Sequence, residues 1–319
     1  MTRSTHPRRL RRALVLAGAA GLALFATLAA TASPFAASHR SASAYTFQAI
    51  TDPKDPTFVQ LLGINDSGLI AGYYGSGASA AHPNKGFTLP SPHNGNFVSE
   101  NYPGSVQTQV TAVTSTGNTA GFWVDAKGNN HGFIDWNGVF TTVDAPGAAG
   151  KTKTTQLLGL NAAGVAVGFY NDAAGTSHAF KYNQSTRVLT PLTPPNADSA
   201  VATGINSKDE IVGFLTRDKT TAGFFVSHAA FDEFDYPGST NTQPFGVNNN
   251  DEIVGSEVDA KGQSHGFTLT SPSTHASFTA IDDPQGVGST VVNGVNDKGQ
   301  LVGFYQDSAK NTVGFLATP

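Results

Sequence analysis

The chain contains no cysteine among its 319 residues, which limits how it can be stabilised. Disulfide bonds, thiolate metal sites and a lipid anchor on cysteine are all excluded, so stability must come from packing. Beyond the first 32 residues, no apolar stretch is long enough to span a bilayer as a helix. We therefore expect a mature protein that is soluble and not embedded in a membrane.

The first 32 residues have the composition of a bacterial export signal. An apolar run from Ala13 to Ala30 follows five arginines, and Ala30-Thr31-Ala32 offers the small residues of a cleavage site; Ala42-Ser43-Ala44 is a second candidate. Arg11-Arg12 also resembles a twin-arginine motif. We predict a signal peptide over residues 1–32, a disordered leader over 33–44 and a secreted domain over 45–319.

Arginine is scarce in the predicted mature chain, which keeps only Arg40, Arg187 and Arg217. Removing the five signal arginines leaves 14 Lys and Arg against 23 Asp and Glu, so the formal net charge falls from −4 to −9. An acidic surface disfavours nucleic acid and anionic membranes as partners. We expect no partner of either kind, and we expect a monomer.

A ten-residue motif, best seen from Gly294 to Gly303, is written six times. Two apolar pieces flank a polar Asn-Asp-Lys-Gly, which is typical of two short antiparallel strands joined by a tight turn that ends at positive φ. That turn chemistry accounts for the motif Asn and Asp residues without a catalytic role. The other copies begin at Gly63, Ala112, Gly159, Gly204 and Gly246.

The copies are 49, 47, 45, 42 and 48 residues apart, a period typical of β-propeller blades. Each unit has two further apolar pieces, one around Gly-Phe and one that ends near an Asp-x-Pro-Gly stretch. That stretch is long enough to cross from the outer strand of one blade to the inner strand of the next, whereas a short hairpin is not. The sequence therefore predicts an all-β, six-bladed β-propeller of four-stranded antiparallel blades.

The ends of the mature chain predict how the ring closes. It begins with an outer strand, Tyr45 to Ile50, and stops after a third strand, Thr312 to Ala317. The sixth blade lacks an outer strand unless the first segment supplies it. We predict that residues 46–51 pair with residues 313–317, which leaves no open sheet edge at that seam.

The repeat also resembles a known family. The Gly-Ile-Asn-x-x-Gly-x-Ile-Val-Gly hairpin followed by Asp-x-x-Gly-x-x-His-Gly-Phe, clearest from Val247 to Phe267 and recognisable from Val113 to Phe133, is similar to the bacterial extracellular HAF repeat. The resemblance covers residues 45–319 and implies export and a repeat architecture. It brings no catalytic residues, because the family carries no established activity.

Two rings of side chains are candidates for ligand binding on the face that carries the crossover loops. Amide donors and acceptors could line the channel mouth, or they could bond the crossover backbone. Aromatic rings could stack on apolar sugar faces, or they could pack between blades. The amide ring comprises Gln60, Gln109, Gln156 and Gln243, and the aromatic ring comprises Tyr74, Trp123, Tyr170 and Tyr305, with Leu215 and Glu257 at the same position in the other two copies.

Histidines and aspartates that recur at equivalent positions favour structural roles. His131, His178 and His265 begin third strands of different blades, too far apart to share an ion. The Asp residues that open the turn after the second strand fit type I turn chemistry and lack the acidic density of a calcium site. We expect no metal and no cofactor. These aspartates are Asp125, Asp172, Asp259 and Asp307.

Three functions stay open on the sequence alone. The first is a secreted, non-catalytic module that binds a neutral glycan or an extracellular protein through the crossover-loop face. The second is a polysaccharide hydrolase or lyase, which needs two carboxylates about 5–10 Å apart; Glu257 is the glutamate expected near that face, with Asp282 and Asp283 as partners. The third is a structural surface protein whose repeats serve assembly.

Overall fold

The computed structural model describes residues 45–270, 272 and 277–319, and in this part of the chain every regular element is a β-strand. The strands form six four-stranded antiparallel sheets, so the predicted six-bladed β-propeller is confirmed. The predicted signal peptide and leader lie outside the described residues. No helix in the described part of the chain is long and apolar enough to cross a membrane.

The first three blades follow one another along the chain, each running from its inner to its outer strand. Blade one comprises β2 (Val59–Ile64), β3 (Ile70–Tyr74), β4 (Lys85–Leu89) and β5 (Val98–Ser99). Blade two comprises β6 (Gln107–Val113), β7 (Thr119–Val124), β8 (Asn130–Trp136) and β9 (Val139–Val143). Blade three comprises β10 (Thr155–Leu160), β11 (Val165–Asn171), β12 (Ser177–Asn183) and β13 (Val188–Pro191).

The last three blades continue this order, and the sixth takes its outer strand from the beginning of the domain. Blade four comprises β14 (Ser199–Ile205), β15 (Ile211–Arg217), β16 (Thr220–Ser227) and β17 (Ala230–Phe234). Blade five comprises β18 (Thr242–Val247), β19 (Ile253–Val258), β20 (Ser264–Thr270) and β21 (Ser277–Ile281). Blade six comprises β22 (Thr290–Val295), β23 (Leu301–Gln306), β24 (Thr312–Thr318) and β1 (Thr46–Ile50).

The ring closes as the sequence predicted. Strand β1 pairs antiparallel with β24 from Thr46 opposite Thr318 to Ile50 opposite Gly314, so the paired residues of β24 lie one position closer to the C-terminus than expected, and Thr51 lies outside the pairing. Ile50 and Leu316 pack into the same apolar cluster as the inner strand of blade one. The first strand therefore joins the end of the chain to its beginning through both hydrogen bonds and core packing.

The motif turns have the predicted backbone. All six residues in the last turn position have positive φ, including Asp209 and Asp251, both at 62°. Each inner strand also carries a β-bulge just before the motif glycine position, which shifts the register against the second strand. The sequence analysis did not predict these bulges.

The Gly-Phe motif of the third strand explains the glycine of the second strand. In blade one, Phe87 lies directly opposite Gly72, and a Cβ on Gly72 would stand 2.3 Å from the Gln60 carbonyl oxygen and 3.1 Å from the Phe87 ring. Each blade repeats this pairing of a glycine with a fully buried phenylalanine. Glycine is required there because the ring and a neighbouring carbonyl occupy the space of a side chain.

The motif asparagines hold the ring together. The Asn65 side-chain N–H donates to the carbonyl oxygen of Thr114 in the next blade at 2.8 Å, while its Oδ1 accepts backbone N–H groups of its own turn. Four further asparagines repeat this bond between blades, at 3.0 to 3.1 Å: Asn161, Asn206, Asn248 and Asn296. Thr114 occupies the sixth position, and that seam keeps a bond from Thr111 to the Leu157 carbonyl oxygen at 2.9 Å, which Thr203 and Asn293 repeat at seams that also have the asparagine bond.

Candidate functional site

The crossover loops, which carry the predicted binding face, are anchored to the inner strands by a recurring threonine. The Tyr102 N–H donates to Thr108 Oγ1 at 3.1 Å, and the Tyr236 N–H donates to Thr242 Oγ1 at 2.9 Å. Thr155 and Thr290 accept the equivalent N–H groups of two other crossovers. This threonine was not predicted, although it directly precedes three of the four recurring glutamines. In blade six, Thr290 directly precedes Val291, which stands at the glutamine position. The threonine fixes where each crossover leaves its blade.

The glutamines of the predicted amide ring lie between strands and blades. Gln109 donates from Nε2 to Asn84 Oδ1 of the preceding blade at 2.8 Å, and Gln156 reaches Asn130 Oδ1 in the same way at 3.1 Å. Gln60 accepts the Tyr73 hydroxyl at 2.8 Å. These three glutamines are buried and Gln243 is half-buried. The amides of Gln109 and Gln156 pair with side chains of the preceding blade, and that of Gln60 pairs with a tyrosine of its own blade, rather than with the crossover backbone. The role of the four glutamines in ligand binding stays a prediction.

Two residues of the predicted aromatic ring are cross-strand neighbours of the recurring histidines. Trp123 lies opposite His131, and Tyr170 lies opposite His178. The Trp123 ring is stacked on both faces, 4.4 Å from the Tyr102 ring and 4.4 Å from the His131 ring. The Tyr170 ring is stacked on one face against His178 at 5.1 Å. A ligand would therefore meet the edges of these rings before their faces.

Each histidine bridges its blade to loop carboxylates. His131 Nδ1 lies 2.8 Å from Asp144 of the crossover, and its Nε2 lies 3.5 Å from Asp125 of the hairpin turn. His265 repeats this arrangement with two aspartates, and His178 lies 3.0 Å from Asp172. Burial is the largest single effect on the pKa of Asp125 and raises it, but hydrogen bonds from Asn129, Lys127 and His131 together outweigh burial and lower the pKa to about 2. These contacts fix the crossovers relative to the hairpin turns.

In three consecutive blades, a tyrosine and a carboxylate occupy one position on the second strand and one on the preceding crossover, and one of these blades has the two exchanged. In blade six, burial followed by Asp283 of the crossover raises the pKa of Tyr305 on β23, whose hydroxyl donates to Gln285 Oε1 at 3.0 Å. In blade one, burial and then the crossover residue Asp52 raise the pKa of Tyr74. In blade five the two positions are exchanged, because the tyrosine lies on the crossover and the carboxylate on the second strand.

That exchanged pair is Tyr236 and Glu257. Burial raises the pKa of Tyr236, and Glu257 and Asp282 raise it further. Glu257 is only 3% exposed and lies opposite His265, whose Nδ1 is 3.1 Å from Asp282. The structure thus brings the sequence-predicted Glu257 and Asp282 to one histidine, while Asp283 belongs to the Tyr305 pair of the next blade.

The central channel is divided into two small cavities. One of about 160 Å³ opens among the motif turns, and one of about 80 Å³ lies further along the axis. The six aliphatic residues before the motif asparagines border both cavities and separate them. Both volumes lie well below the roughly 300–1,000 Å³ of ordinary small-molecule sites. None of the sequence-predicted site residues lines either cavity.

The partly buried carboxylate pair of Glu100 and Asp135 lies between blades one and two. Burial, together with the nearby Asp135, raises the pKa of Glu100 to about 6, against a lowering hydrogen bond from Thr119. Burial also raises the pKa of Asp135. The Thr119 hydroxyl that donates to Glu100 belongs to a neighbouring second strand. The sequence analysis did not single out this pair.

No protein-family model and no curated protein matches this chain. Among solved structures, the putative TolB from Agrobacterium tumefaciens aligns with a TM-score of 0.57 at 8% identity over 86% of this chain and 98% of that one. TolB from Acinetobacter baumannii aligns with a TM-score of 0.53 at 10% identity, over 78% of this chain, which spans 63% of that protein. The Hadza microbial sialidase Hz136 aligns with a TM-score of 0.51 at 10% identity, over 83% of this chain and 66% of that one. At these identities the likeness shows the propeller fold alone.

Proposed function

We propose that the chain is a secreted, monomeric, non-catalytic binding module of the HAF-repeat type that recognises a neutral glycan through its crossover-loop face. The observation that carries the proposal is the way this face is built. Threonine anchors and histidine–aspartate contacts hold the loops at equivalent positions, while the residue at the aromatic position of the second strand differs among blades. A fixed frame with variable side chains is what selective binding requires.

The aromatic residues of this face suit an uncharged carbohydrate. Tyr74, Trp123 and Tyr170 are half-buried, so they keep part of their surface in contact with solvent on rings whose orientation is fixed by packing. Rigid rings of this kind bind at low entropic cost. The acidic net charge of the predicted mature chain disfavours anionic polysaccharides.

The proposal is tested by retention of the purified domain, residues 45–319, on a panel of immobilised neutral and acidic polysaccharides. Tyr170→Ala should reduce retention, whereas Tyr45→Ala, a half-buried tyrosine beside the motif turns of blade five, should not. Soluble polysaccharides are assayed in parallel for new reducing or unsaturated ends. If product is formed, the function is that of a hydrolase or a lyase rather than that of a binding module. Retention of an extracellular protein but of no glycan would change the ligand class.

A hydrolase is the second candidate, because Glu257, His265 and Asp282 meet in blade five. Their arrangement places a buried carboxylate beside a histidine that contacts a second carboxylate. If product is formed, Glu257→Gln should abolish it without loss of the folded state. An unchanged rate in that variant would exclude this cluster as the catalytic site.

A further inference from the structure

The opposite end of the channel, among the six motif turns, forms a small cup on the propeller axis. Its volume of about 160 Å³ holds several water molecules, each of which needs roughly 10–15 Å³, but it is too small for an oligosaccharide. Only a slender group fits there. This site lies on the face opposite the crossover loops and is independent of the function proposed above.

The floor and the rim of the cup differ in chemistry. The floor is entirely aliphatic and is formed by Ile64, Val113, Leu160, Ile205, Val247 and Val295. Two residues further along each repeat, polar side chains form most of the rim: Asp66, Ser115, Ala162, Ser207, Asn249 and Asp297. The motif asparagines and Thr114 line the wall between floor and rim, and the asparagine side-chain N–H groups are bonded to the next blade. An occupant that combines an apolar part with a polar end at the rim therefore fits the cup.

Hydrogen bonds along the rim run in one direction and end at a carboxylate. The Ser207 N–H donates to Asn249 Oδ1 at 3.0 Å, the Asn249 N–H donates to Asp297 Oδ1 at 2.7 Å, and the Asp297 N–H donates to Asp66 Oδ1 at 2.8 Å. Asp297 also accepts the Asn249 side-chain amide on its second oxygen. The next two blades contribute only Ser115 and Ala162, so Asp66 is the last acceptor of the series.

Charge around the cup is predominantly negative. The motif turns carry six carboxylates and two ammonium groups. One of the ammonium groups, Lys208 Nζ, lies 2.7 Å from Asp251 Oδ1 between blades four and five. A concave site surrounded by one sign of charge concentrates counter-ions. The carboxylates are Asp66, Asp209, Glu210, Asp251, Glu252 and Asp297, and the ammonium groups are Lys208 and Lys298.

We propose that the cup binds a small aliphatic primary amine, with the alkyl chain on the aliphatic floor and the ammonium group against Asp66 at the rim. The floor excludes a second charge at the far end of the ligand, because nothing there could pair with it. The occupant is thus a mono-cation with an apolar tail rather than a diamine or a sugar.

The experiment compares three probes of similar length on the folded domain at low ionic strength and pH 7, followed by NMR shifts of the floor methyl groups. n-Butylamine should bind, with an affinity that falls as salt is added. n-Butanol lacks the charge and putrescine places a second ammonium on the floor, so both should bind at least about fivefold more weakly. Equal binding of n-butanol, tighter binding of putrescine or no binding of n-butylamine would each overturn the proposal.

A variant with one altered atom gives the second test. Asp66→Asn keeps Oδ1 as the acceptor for the Asp297 N–H, so the rim survives while the charge is removed. It should weaken n-butylamine about fivefold and leave n-butanol unchanged. Asp218→Asn removes an exposed charge from the hairpin turn after β15 and should change neither probe. Unchanged n-butylamine binding in Asp66→Asn, in a variant that melts like the parent, would contradict the assignment.

Discussion

The partly buried carboxyl group of Glu100 should make the stability of the propeller depend on pH. It lies between blades one and two, where it accepts the Thr119 hydroxyl near Asp135. Burial, and then the proximity of Asp135, raise its pKa from 4.5 to about 6. The folded state therefore holds this proton more tightly than the unfolded state does. The stabilisation is fully present below pH 4.5 and is lost as the pH rises through 6.

The size of the effect follows from the pKa difference. A raised pKa of this size corresponds to about 2 kcal/mol over the whole titration, of which about 1 kcal/mol falls between pH 5 and pH 7.5. Asp135 acts with the same sign because burial raises its pKa. Carboxylates with lowered pKa, such as Asp125, are ionised in both states above pH 5 and contribute no slope in this window.

Glu100→Gln separates this proton from every other titrating group. Glutamine keeps an acceptor for Thr119 and stays neutral, so the variant should match the parent near pH 4 and exceed it by about 1–2 kcal/mol at pH 7.5. Urea unfolding at several pH values measures the difference in stability between variant and parent. The histidines contribute equally to both proteins, so their effect cancels in this difference. Asp218→Asn, an exposed carboxylate, should keep the parental slope. If Glu100→Gln loses as much stability as the parent between pH 5 and 7.5, the raised pKa is refuted.

Three further predictions concern the closure and locking of the ring. Deletion of residues 45–51 removes a strand from blade six and should lower the melting temperature by about 10 °C, measured by circular dichroism; an unchanged melt would contradict the closure. Thr114→Asn supplies the missing asparagine of the sixth seam and should raise stability by about 0.5–1.5 kcal/mol in urea unfolding, whereas a loss would show that the turn cannot accept it. Thr242→Val removes the acceptor of the Tyr236 N–H and should cost about 1 kcal/mol; the same change at Thr312, at the start of β24, is the control and should cost less.

The fold was readable from the sequence because its determinants are local and repeated. The motif turn needs positive φ at one position, and glycine or aspartate stands there six times. The crossover was identified by its length alone, and the pairing of β1 with β24 followed from counting strands. The bulges in the inner strands were not predictable, since they depend on how each inner strand meets its neighbour in three dimensions.

The candidate site was only partly readable, because its contacts depend on register. The aromatic residues and the recurring histidines were recognised separately, yet Trp123 and His131 are one cross-strand pair and stack on each other. The crossover residue Tyr102 then covers the other face of the indole. No periodicity in the sequence marks which loop residue folds back onto which strand. The amide columns were likewise visible, but their partners Asn84 and Asn130 come from the preceding blade.

Departures from the repeat indicate which contacts matter on the crossover-loop face. Blades six and one place tyrosine on the second strand and aspartate on the crossover, and blade five exchanges the two by pairing Tyr236 with Glu257. A residue type tied to one position cannot explain an exchange, whereas an electrostatic interaction between phenol and carboxylate can. In blades two and three the same place holds Trp123 against Tyr102 and a Tyr170 ring packed on Gly147.

The crossover-loop face is therefore divided into a half with tyrosine–carboxylate pairs, in blades five, six and one, and a half with packed aromatic rings, in blades two and three. A neutral glycan that packs against the exposed edges of these rings should depend on the second half, and its retention should change little between pH 5 and 7.5. A ligand held by the first half should respond to Glu257→Gln, which changes the charge of its pair. Retention that is abolished by Glu257→Gln but insensitive to Tyr170→Ala would assign binding to the tyrosine–carboxylate half and would exclude contact with the packed rings as its basis.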